Sequence, residues 1–489
     1  MTDKLSLANE AMRYFDSSPD PFHAVQTSMG MLEAAGFKEL SDEGGEDFST
    51  LKRGGKYFFT RNKSTIVAFC IGNKYQPGNG FKIIGGHTDS PILKIKPRSK
   101  RSPGASSFVQ LAVECYGGGL WHTWFDRDLG LSGRVFVRNQ SDQTIEQKLV
   151  NIDRSILHIP NLAIHLQTAD ERQAFQVNKE DHLVPILSMS VKNALEGNRE
   201  EDGWTEHQEP ILLDILSKEL NVNVEDIIDF ELNLYNVQKA SLGGAHSEFL
   251  HSARLDNLAS CFLALKGLVE YTKDDRNHLD ADGDISLVAL FDHEEVGSES
   301  TTGAGSPIMG EAVRRISDAI LHSDQSKNSI ASSAGAVVPC ATFEVYPNTI
   351  RKSFVLSVDQ AHAVHPNYAS KHEKGHGPKM NDGMVIKRNS NQRYATNAVT
   401  GLIVREIARK SGLKQLQEFV VRNDCGCGTT IGPIISSSTG IRAIDIGCPQ
   451  LSMHSIRETM GTSDLSFALD LFKGFFQYFR EVDDSMKEY

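Results

Sequence analysis

The feature that most constrains the fold is an apolar run, residues 285–290, that ends abruptly in acidic side chains. Short runs of Leu, Ile and Val are typical of a strand buried on both faces of a sheet. Asp292, Glu294 and Glu295 follow at its carboxyl end, where open α/β sheets place their ligand sites. Adjacent carboxylates are costly to bury unless a cation neutralises them. The run therefore predicts a divalent metal site, with a solvated acidic loop as the alternative.

Two further apolar runs end in the same kind of residue. Residues 81–84 lead through two glycines to His87 and Asp89, an imidazole with a carboxylate near enough to orient it. Residues 353–358 end in Asp359. Acidic and imidazole groups at three strand ends are what a metal site on a parallel sheet requires. For His87 taken alone, a hydrogen-bonded turn is the alternative to a metal ligand.

The length of the chain and a change of pattern in its middle predict two domains. At 489 residues the chain is too long for one ordinary core. Residues 93–246 contain short alternating runs separated by Gly, Asp and Asn, which are typical of an antiparallel β-rich unit. We therefore predict a catalytic domain made of residues 1–92 and 247–489, interrupted by a β-rich insert.

Composition excludes several classes of function. The net charge of −12 and the lack of a basic arm argue against a nucleic-acid partner. No stretch is long and apolar enough to cross a bilayer, and the first residues lack an apolar signal segment. We therefore expect a cytoplasmic protein without a membrane partner. The seven scattered cysteines predict reduced thiols rather than a disulfide framework.

Imidazole and carboxylate side chains, without cysteine, make up the candidate site. In chain order they are His87, Asp89, Asp256, Glu294, Glu295, Asp359 and His454. This donor set suits Zn²⁺, with Co²⁺ or Mn²⁺ as alternatives, in a hydrolytic site that keeps one position for water. For Asp256, a helix N-cap is the simpler role.

Two other residues have open roles. Lys387 lies in a basic, polar stretch of an acidic chain, and either solvated surface or an anion pocket for substrate accounts for it. His165 has apolar neighbours, for which a core or interface histidine is the ordinary role.

Five ordered stretches together resemble the M18 metallopeptidases, the family of the aspartyl aminopeptidases. They are residues 85–91, 255–257, 292–298, 359–366 and 453–458. The resemblance spans essentially the whole chain. It implies a three-layer α/β/α zinc-exopeptidase catalytic domain with an inserted β-rich dimerisation domain, and an enzyme that removes N-terminal Asp or Glu from peptides. Residues 425–427, Cys-Gly-Cys, depart from the proline-containing pattern of the family and put a loop near the substrate in doubt.

The resemblance also implies a set of metal ligands. His87 and Asp359 would bind one divalent ion, Glu295 and His454 would bind a second, and Asp256 would bridge the two. The implied cofactor is thus two metal ions per subunit, with Zn²⁺ preferred.

Further roles follow from the same resemblance. Glu294 would act as the general base, and Asp89 would orient His87. Lys387 would hold the acidic side chain of the substrate. His165 would reach from the insert of one subunit into the active site of another and steady the transition state, which implies a closed homo-oligomer, a dodecamer built from dimers.

The sequence is also compatible with two alternative functions. A carboxypeptidase or deacylase uses the same metal ligands, because those ligands do not determine which end of a substrate is bound. A noncatalytic cargo or binding protein can also keep the fold.

Overall fold

The computed structural model describes residues 2–101, 107–189, 203–273, 278–331 and 342–486. Within these ranges the chain forms two compact units. The larger unit comprises Met1–Asp89, Ala240–Met453 and Glu458–Tyr489, and the smaller unit comprises Ser90–Lys239 and His454–Arg457.

The strands, in chain order, are β1 (Lys38–Glu39), β2 (Lys56–Arg61), β3 (Thr65–Ile71), β4 (Phe81–His87), β5 (Ile92–Lys100), β6 (Phe108–Tyr116), β7 (Leu129–Arg138), β8 (Ile145–Leu157), β9 (Ile186–Met189), β10 (Ile227–Asn236), β11 (Ser241–Gly243), β12 (Phe249–Ser252), β13 (Ile285–Phe291), β14 (Phe354–Val358), β15 (Ala361–His362), β16 (Val385–Arg388), β17 (Gln417–Val420), β18 (Arg442–Gly447), β19 (Pro449–Leu451) and β20 (Glu458–Gly461). The helices are α1 (Thr2–Asp16), α2 (Pro21–Ala34), α3 (Gly45–Ser49), α4 (Ala169–Gln173), α5 (Pro210–Leu220), α6 (Leu255–Lys273), α7 (His278–Ala281), α8 (Ile308–Ala331), α9 (Thr342–Lys352), α10 (Ala398–Lys410), α11 (Ile431–Thr439) and α12 (Thr462–Ser485).

The main sheet of the larger unit has the strand order β1-β2-β3-β13-β4-β14-β18-β16-β17. Its central strands β13, β4, β14 and β18 run parallel to one another. Every residue of β4, β13 and β14 is buried, as expected for apolar strands covered on both faces. The carboxyl ends of these three strands therefore lie at one edge of the sheet, as the sequence predicts.

Helices cover both faces of this sheet. Successive strand residues point to opposite faces, so Ile84 and Val288 pack into one core and Ile83 and Leu287 into the other. The first core contains side chains of α1, α2, α6, α10 and α12. The second contains side chains of α8 and α11. The larger unit is thus built as three layers, α/β/α. A smaller sheet of the same unit has the order β11-β12-β20-β19-β15.

The smaller unit is built around an antiparallel sheet with the order β8-β7-β10-β5-β6-β9. A short segment of this unit, His454–Arg457, lies more than 200 positions after the rest of it in the sequence. Ile456 is buried in its hydrophobic core, and its backbone N–H donates to Thr123 Oγ1 at 3.0 Å. The short segment His454–Arg457 therefore packs with the smaller unit although residues of the larger unit flank it on both sides in the sequence.

The cysteines within the described ranges, six of the seven in the chain, are free, and Cys340 falls outside these ranges. No helix within them combines the length and the apolar character that crossing a bilayer demands.

The buried ammonium group of Lys82 on β4 forms an ion pair with Asp282 and a hydrogen bond to α12. Lys82 is 2% exposed, and its Nζ donates to Asp282 Oδ2 and to the carbonyl oxygen of Phe476, both at 2.6 Å. Replacing Lys82 by Met should lower the free energy of unfolding by about 3–5 kcal/mol, because Asp282 then stays buried without its cation. Urea unfolding measures the loss. In the control Lys410→Met, whose partner Glu481 is exposed, the loss should stay below about 1 kcal/mol. Equal losses in the two variants would contradict this account of Lys82.

Candidate active site

Carboxylates converge on one nitrogen of a buried histidine. His87 ends β4 and is 1% exposed. Its Nε2 lies 3.4 Å from Asp256 Oδ1, 3.6 Å from Asp359 Oδ1 and 4.0 Å from Glu294 Oε2. Ligand atoms of His87, Asp256 and Glu295 also lie within 4.8 Å of one another. The structure thus brings five of the predicted site residues together.

The spacing of these atoms fits a divalent metal better than direct hydrogen bonds. Hydrogen bonds from nitrogen to oxygen are about 2.7–3.2 Å long, shorter than any of these three distances. Two donor atoms bound to one tetrahedral Zn²⁺ at about 2.0–2.2 Å lie about 3.3–3.6 Å apart, which matches the distances from His87 to Asp256 and Asp359. Oδ1 of Asp359 is buried and accepts no hydrogen bond from the described part of the chain. The donor set and its spacing therefore suit a metal ion.

The electrostatics of the cluster lead to the same conclusion. Burial by itself lowers the pKa of His87, but Glu294, Asp256, Asp359 and Asp89 outweigh it and raise that pKa well above its ordinary value. Burial raises the pKa of Glu294, and the neighbouring aspartates raise it further. So many acidic groups in a site screened from water favour a positive charge at their centre.

Asp89 connects two of the strand ends. The other ring nitrogen of His87, Nδ1, lies 3.0 Å from the backbone carbonyl oxygen of Asp89 and 3.4 Å from its Oδ1. The two carboxylate oxygens of Asp89 accept hydrogen bonds from the backbone N–H groups of Glu294 and Glu295, each at 3.1 Å. The carboxylate therefore fixes the backbone of both glutamates, while the carbonyl is the closer partner of the imidazole.

The two glutamates lie on a tight turn after β13. The turn opens at His293, which has a left-handed backbone with φ 64° and ψ 22°. The ring of His293 secures it, because Nδ1 lies 2.8 Å from Ser300 Oγ and 3.2 Å from Thr302 Oγ1. Glu294 and Glu295 occupy successive positions of a short helical turn, so their side chains leave the backbone in different directions.

The backbone of Asp256 is held by Glu458, a residue that was not among the predicted site residues. The backbone N–H of Asp256 donates to Oε2 of Glu458 at 2.9 Å, and Glu458 is 2% exposed. The next residue, Asn257, donates from Nδ2 to the carbonyl oxygen of Val358 at 2.7 Å, where β14 ends. Although Asp256 lies in the first turn of α6, its ψ of 102° is not helical. These contacts aim Asp256 toward His87 rather than along the helix.

Lys387 on β16 is buried, so the solvated-surface interpretation of this residue is wrong. It is 2% exposed. Its Nζ donates to Asp359 Oδ2 at 3.1 Å and to the carbonyl oxygen of Gln360 at 3.0 Å, and lies 5.1 Å from the centre of the Tyr394 ring. Cys427, from the Cys-Gly-Cys stretch, packs against the same small cluster as Tyr394. An ammonium group has three donors, and these contacts use two.

His454 and His165 belong to the smaller unit. Nδ1 of His454 lies 3.1 Å from the carbonyl oxygen of Gly118. A proton on Nδ1 leaves the lone pair on Nε2, the arrangement found in metal-bound histidines. His165 is exposed on a short turn whose apolar residues Ile164 and Leu166 are 59% and 71% exposed.

Sequence comparison decides the family. The pattern of the aminopeptidase I zinc metalloproteases (M18) matches residues 14–476. The chain belongs to the M18 family. An aspartyl aminopeptidase of Aspergillus oryzae is 46% identical to this M18 chain over 505 residues, which cover 98% of the chain and 97% of the relative. Aspartyl aminopeptidase 4 of Saccharomyces cerevisiae is 43% identical over 495 residues, covering 99% and 97%.

Solved M18 structures share the fold. The cryo-EM structure of the Ape4 and Nbr1 complex matches with a TM-score of 0.91 and 39% identity, over 100% of this chain and 88% of that one. The structure of the S. cerevisiae mApe1 dodecamer matches with a TM-score of 0.82 and 29% identity, over 99% of each chain. These likenesses confirm the predicted α/β exopeptidase fold and place the chain among zinc metalloproteases.

Proposed function

We propose that this M18 chain is a metallo-aminopeptidase that removes N-terminal aspartate and glutamate from peptides. The proposed specificity rests on one observation: the ammonium group of Lys387 is buried beside the proposed metal-ligand cluster. A buried cation next to a hydrolytic site favours an acidic substrate side chain. Relatives that are 41–46% identical over nearly the whole chain and are named aspartyl aminopeptidases support the same substrate class.

Two divalent ions per subunit complete the proposed site. His87 and Asp359 would hold one, Glu295 and His454 the other, and Asp256 would bridge them. The spacing of His87, Asp256 and Asp359 supports the first of these two positions. Oxygen and nitrogen donors without thiolate suit Zn²⁺, with Co²⁺ or Mn²⁺ as alternatives.

The residues of the chain then divide the chemistry. Bound divalent ions would lower the pKa of water and polarise the scissile carbonyl. Glu294 takes a proton from the attacking water and passes it to the leaving amine. Its carboxylate is placed for both steps because Oε2 lies beside the cluster, 4.0 Å from Nε2 of His87. Asp89 fixes the turn from which Glu294 acts.

The specificity is tested by removing the ammonium group. In Lys387→Met, kcat/KM for a peptide with N-terminal Asp should fall about 100-fold, because a hydrogen bond to a charged group contributes about 1.5–3 kcal/mol. For the matching peptide with N-terminal Asn it should change far less. The control Lys410→Met removes a surface lysine of the same unit and should leave both values unchanged. An unaltered preference for Asp over Asn in Lys387→Met would refute the role of Lys387.

The alternative functions predict different results. A carboxypeptidase or deacylase with the same ligands would show no preference among N-terminal residues. A noncatalytic cargo protein would show no turnover. Such a protein would have no need of Glu294, because the role proposed for this residue is in turnover alone. A carboxypeptidase would use the buried ammonium group for the C-terminal carboxylate, so its activity would be lost when the C-terminus of the peptide is amidated.

We further infer that the chain assembles with itself into a dodecamer, as the S. cerevisiae mApe1 structure does. The exposed apolar residues Leu162, Ile164 and Leu166 around His165 support an interface on the smaller unit. In such an assembly His165 would reach the active site of a neighbouring subunit and contact the substrate there. A cytoplasmic location remains part of the proposal.

A further inference from the structure

The carboxylate of Asp359 lies between Lys387, the proposed binding group for the acidic substrate side chain, and the proposed metal position beside His87. Oδ2 of Asp359 accepts from Lys387 Nζ at 3.1 Å, while Oδ1 of the same group lies 3.6 Å from His87 Nε2. The side chains of Lys387 and Asp359 are 3% and 14% exposed. Water therefore screens the two charges little, and anything that changes the charge at Lys387 is felt at the metal ligand.

A second acidic residue near Lys387, Asp445, uses its carboxylate oxygens for other hydrogen bonds. Asp445 is fully buried, and its carboxylate accepts from the hydroxyl of Thr430 at 2.5 Å and from the backbone N–H of Ala395 at 2.6 Å. Asp359, in contrast, has one oxygen that accepts no hydrogen bond from the described residues. Both acids sense the charge of Lys387, but of the two it is Asp359 whose second oxygen lies near Nε2 of His87, so a change at Lys387 reaches the metal position through Asp359.

We propose that Lys387 couples recognition of the acidic substrate side chain to the metal affinity of the His87 and Asp359 pair. Without ligand, the ammonium group competes with the metal for the negative charge of Asp359. A ligand carboxylate on the third N–H of Lys387 offsets that positive charge, so Asp359 becomes a stronger metal ligand. By thermodynamic reciprocity, the bound metal strengthens binding of the acidic ligand by the same factor.

This coupling rests on the proposed function and adds to it. An acidic substrate would tighten the site that hydrolyses it, whereas a neutral substrate would leave the metal less firmly held. Selectivity for acidic residues would then come from two sources, the direct contact with Lys387 and the better-held metal. Lys387 is in this respect a positioning residue for Asp359.

The test measures metal binding rather than turnover. The dissociation constant for Zn²⁺ is measured on the full chain, with free Zn²⁺ fixed by a metal buffer, in the presence of saturating L-aspartate or L-asparagine. The two amino acids share their α-amino and α-carboxylate groups, so they differ only in the side-chain charge. We expect aspartate to tighten one of the two Zn²⁺ sites by about fivefold or more, a typical size for coupling between sites, and asparagine to have no such effect.

The variant Lys387→Met separates coupling from a structural role. Coupling predicts that Zn²⁺ binds more tightly to the variant without any ligand, and that aspartate no longer changes the affinity. A merely structural lysine predicts weaker Zn²⁺ binding in the variant. Lys410→Met should behave like the unaltered chain.

Two results would overturn the coupling. One is a Zn²⁺ dissociation constant of the unaltered chain that aspartate and asparagine leave equally unchanged. The other is weaker Zn²⁺ binding in Lys387→Met. Failure of the proposed function looks different, because the unaltered enzyme would then show no preference for Asp over Asn in kcat/KM.

Discussion

Replacing Glu294 by glutamine should remove most turnover and leave the metal content of the protein intact. Glutamine keeps the size and the backbone contacts of the turn but cannot accept a proton from water. Removal of a positioned general base costs about 10²–10⁴-fold in rate, so kcat should fall by that factor. Steady-state kinetics on a peptide with N-terminal Asp, together with elemental analysis of metal per subunit, measures both quantities.

Glu299→Gln is the matched control, because Glu299 is an exposed glutamate in the same loop. It should change neither kcat nor the metal content. If Glu294→Gln kept full activity, another group would be the base. If it lost one equivalent of metal, Glu294 would be a ligand, as its place in a group with His87 and Asp359 also allows.

Asp89→Asn should weaken metal binding and activity together. The carboxylate of Asp89 accepts from the backbone of both Glu294 and Glu295, and an amide has one oxygen where two are needed. Its NH₂ group would face an N–H donor, so the turn that carries both glutamates should shift. Changes in groups that orient metal ligands cost about 10–100-fold in metal affinity or activity. Zn²⁺ titration and kcat/KM should both show a loss of this size.

Asp382→Asn serves as the control for that change. The side chain of Asp382 is 50% exposed, and its Oδ1 lies 3.6 Å from Nζ of Lys414, which is also exposed. It should behave like the unaltered protein. A variant Asp89→Asn with normal Zn²⁺ affinity and reduced activity would restrict the role of Asp89 to the position of Glu294. Normal values for both quantities would contradict its role in the site.

The sequence predicts the framework of the site because burial leaves a local signature. Strands β4, β13 and β14 are short apolar runs, and the residues that follow them lie at one edge of the sheet because parallel strands end on the same side. His87 and Asp359 could therefore be expected to meet although 272 positions separate them. The alternation of strand residues does not by itself show which helices cover each face of the main sheet. That assignment also requires the strand order.

The contacts that orient the proposed metal ligands could not be predicted in this way. The hydrogen bond from Asp256 to Glu458 and those from Glu294 and Glu295 to Asp89 join residues about 200 positions apart. Periodicity reports which face of an element is buried and gives no information about its partner. The pairing of Lys387 with Asp359 was missed for another reason, since a lysine in a polar stretch has the pattern of solvated surface and only the sheet order buries it.

The most direct test of the account is hydrolysis of a peptide series that differs only in its N-terminal residue, with and without a chelator. Peptides that begin with Asp or Glu should be cleaved far faster than those that begin with Asn or Gln. The chelator should abolish cleavage of all of them, and added Zn²⁺ should restore it. Cleavage of Asp and Asn peptides at equal rates, or activity that survives complete removal of metal, would contradict the account.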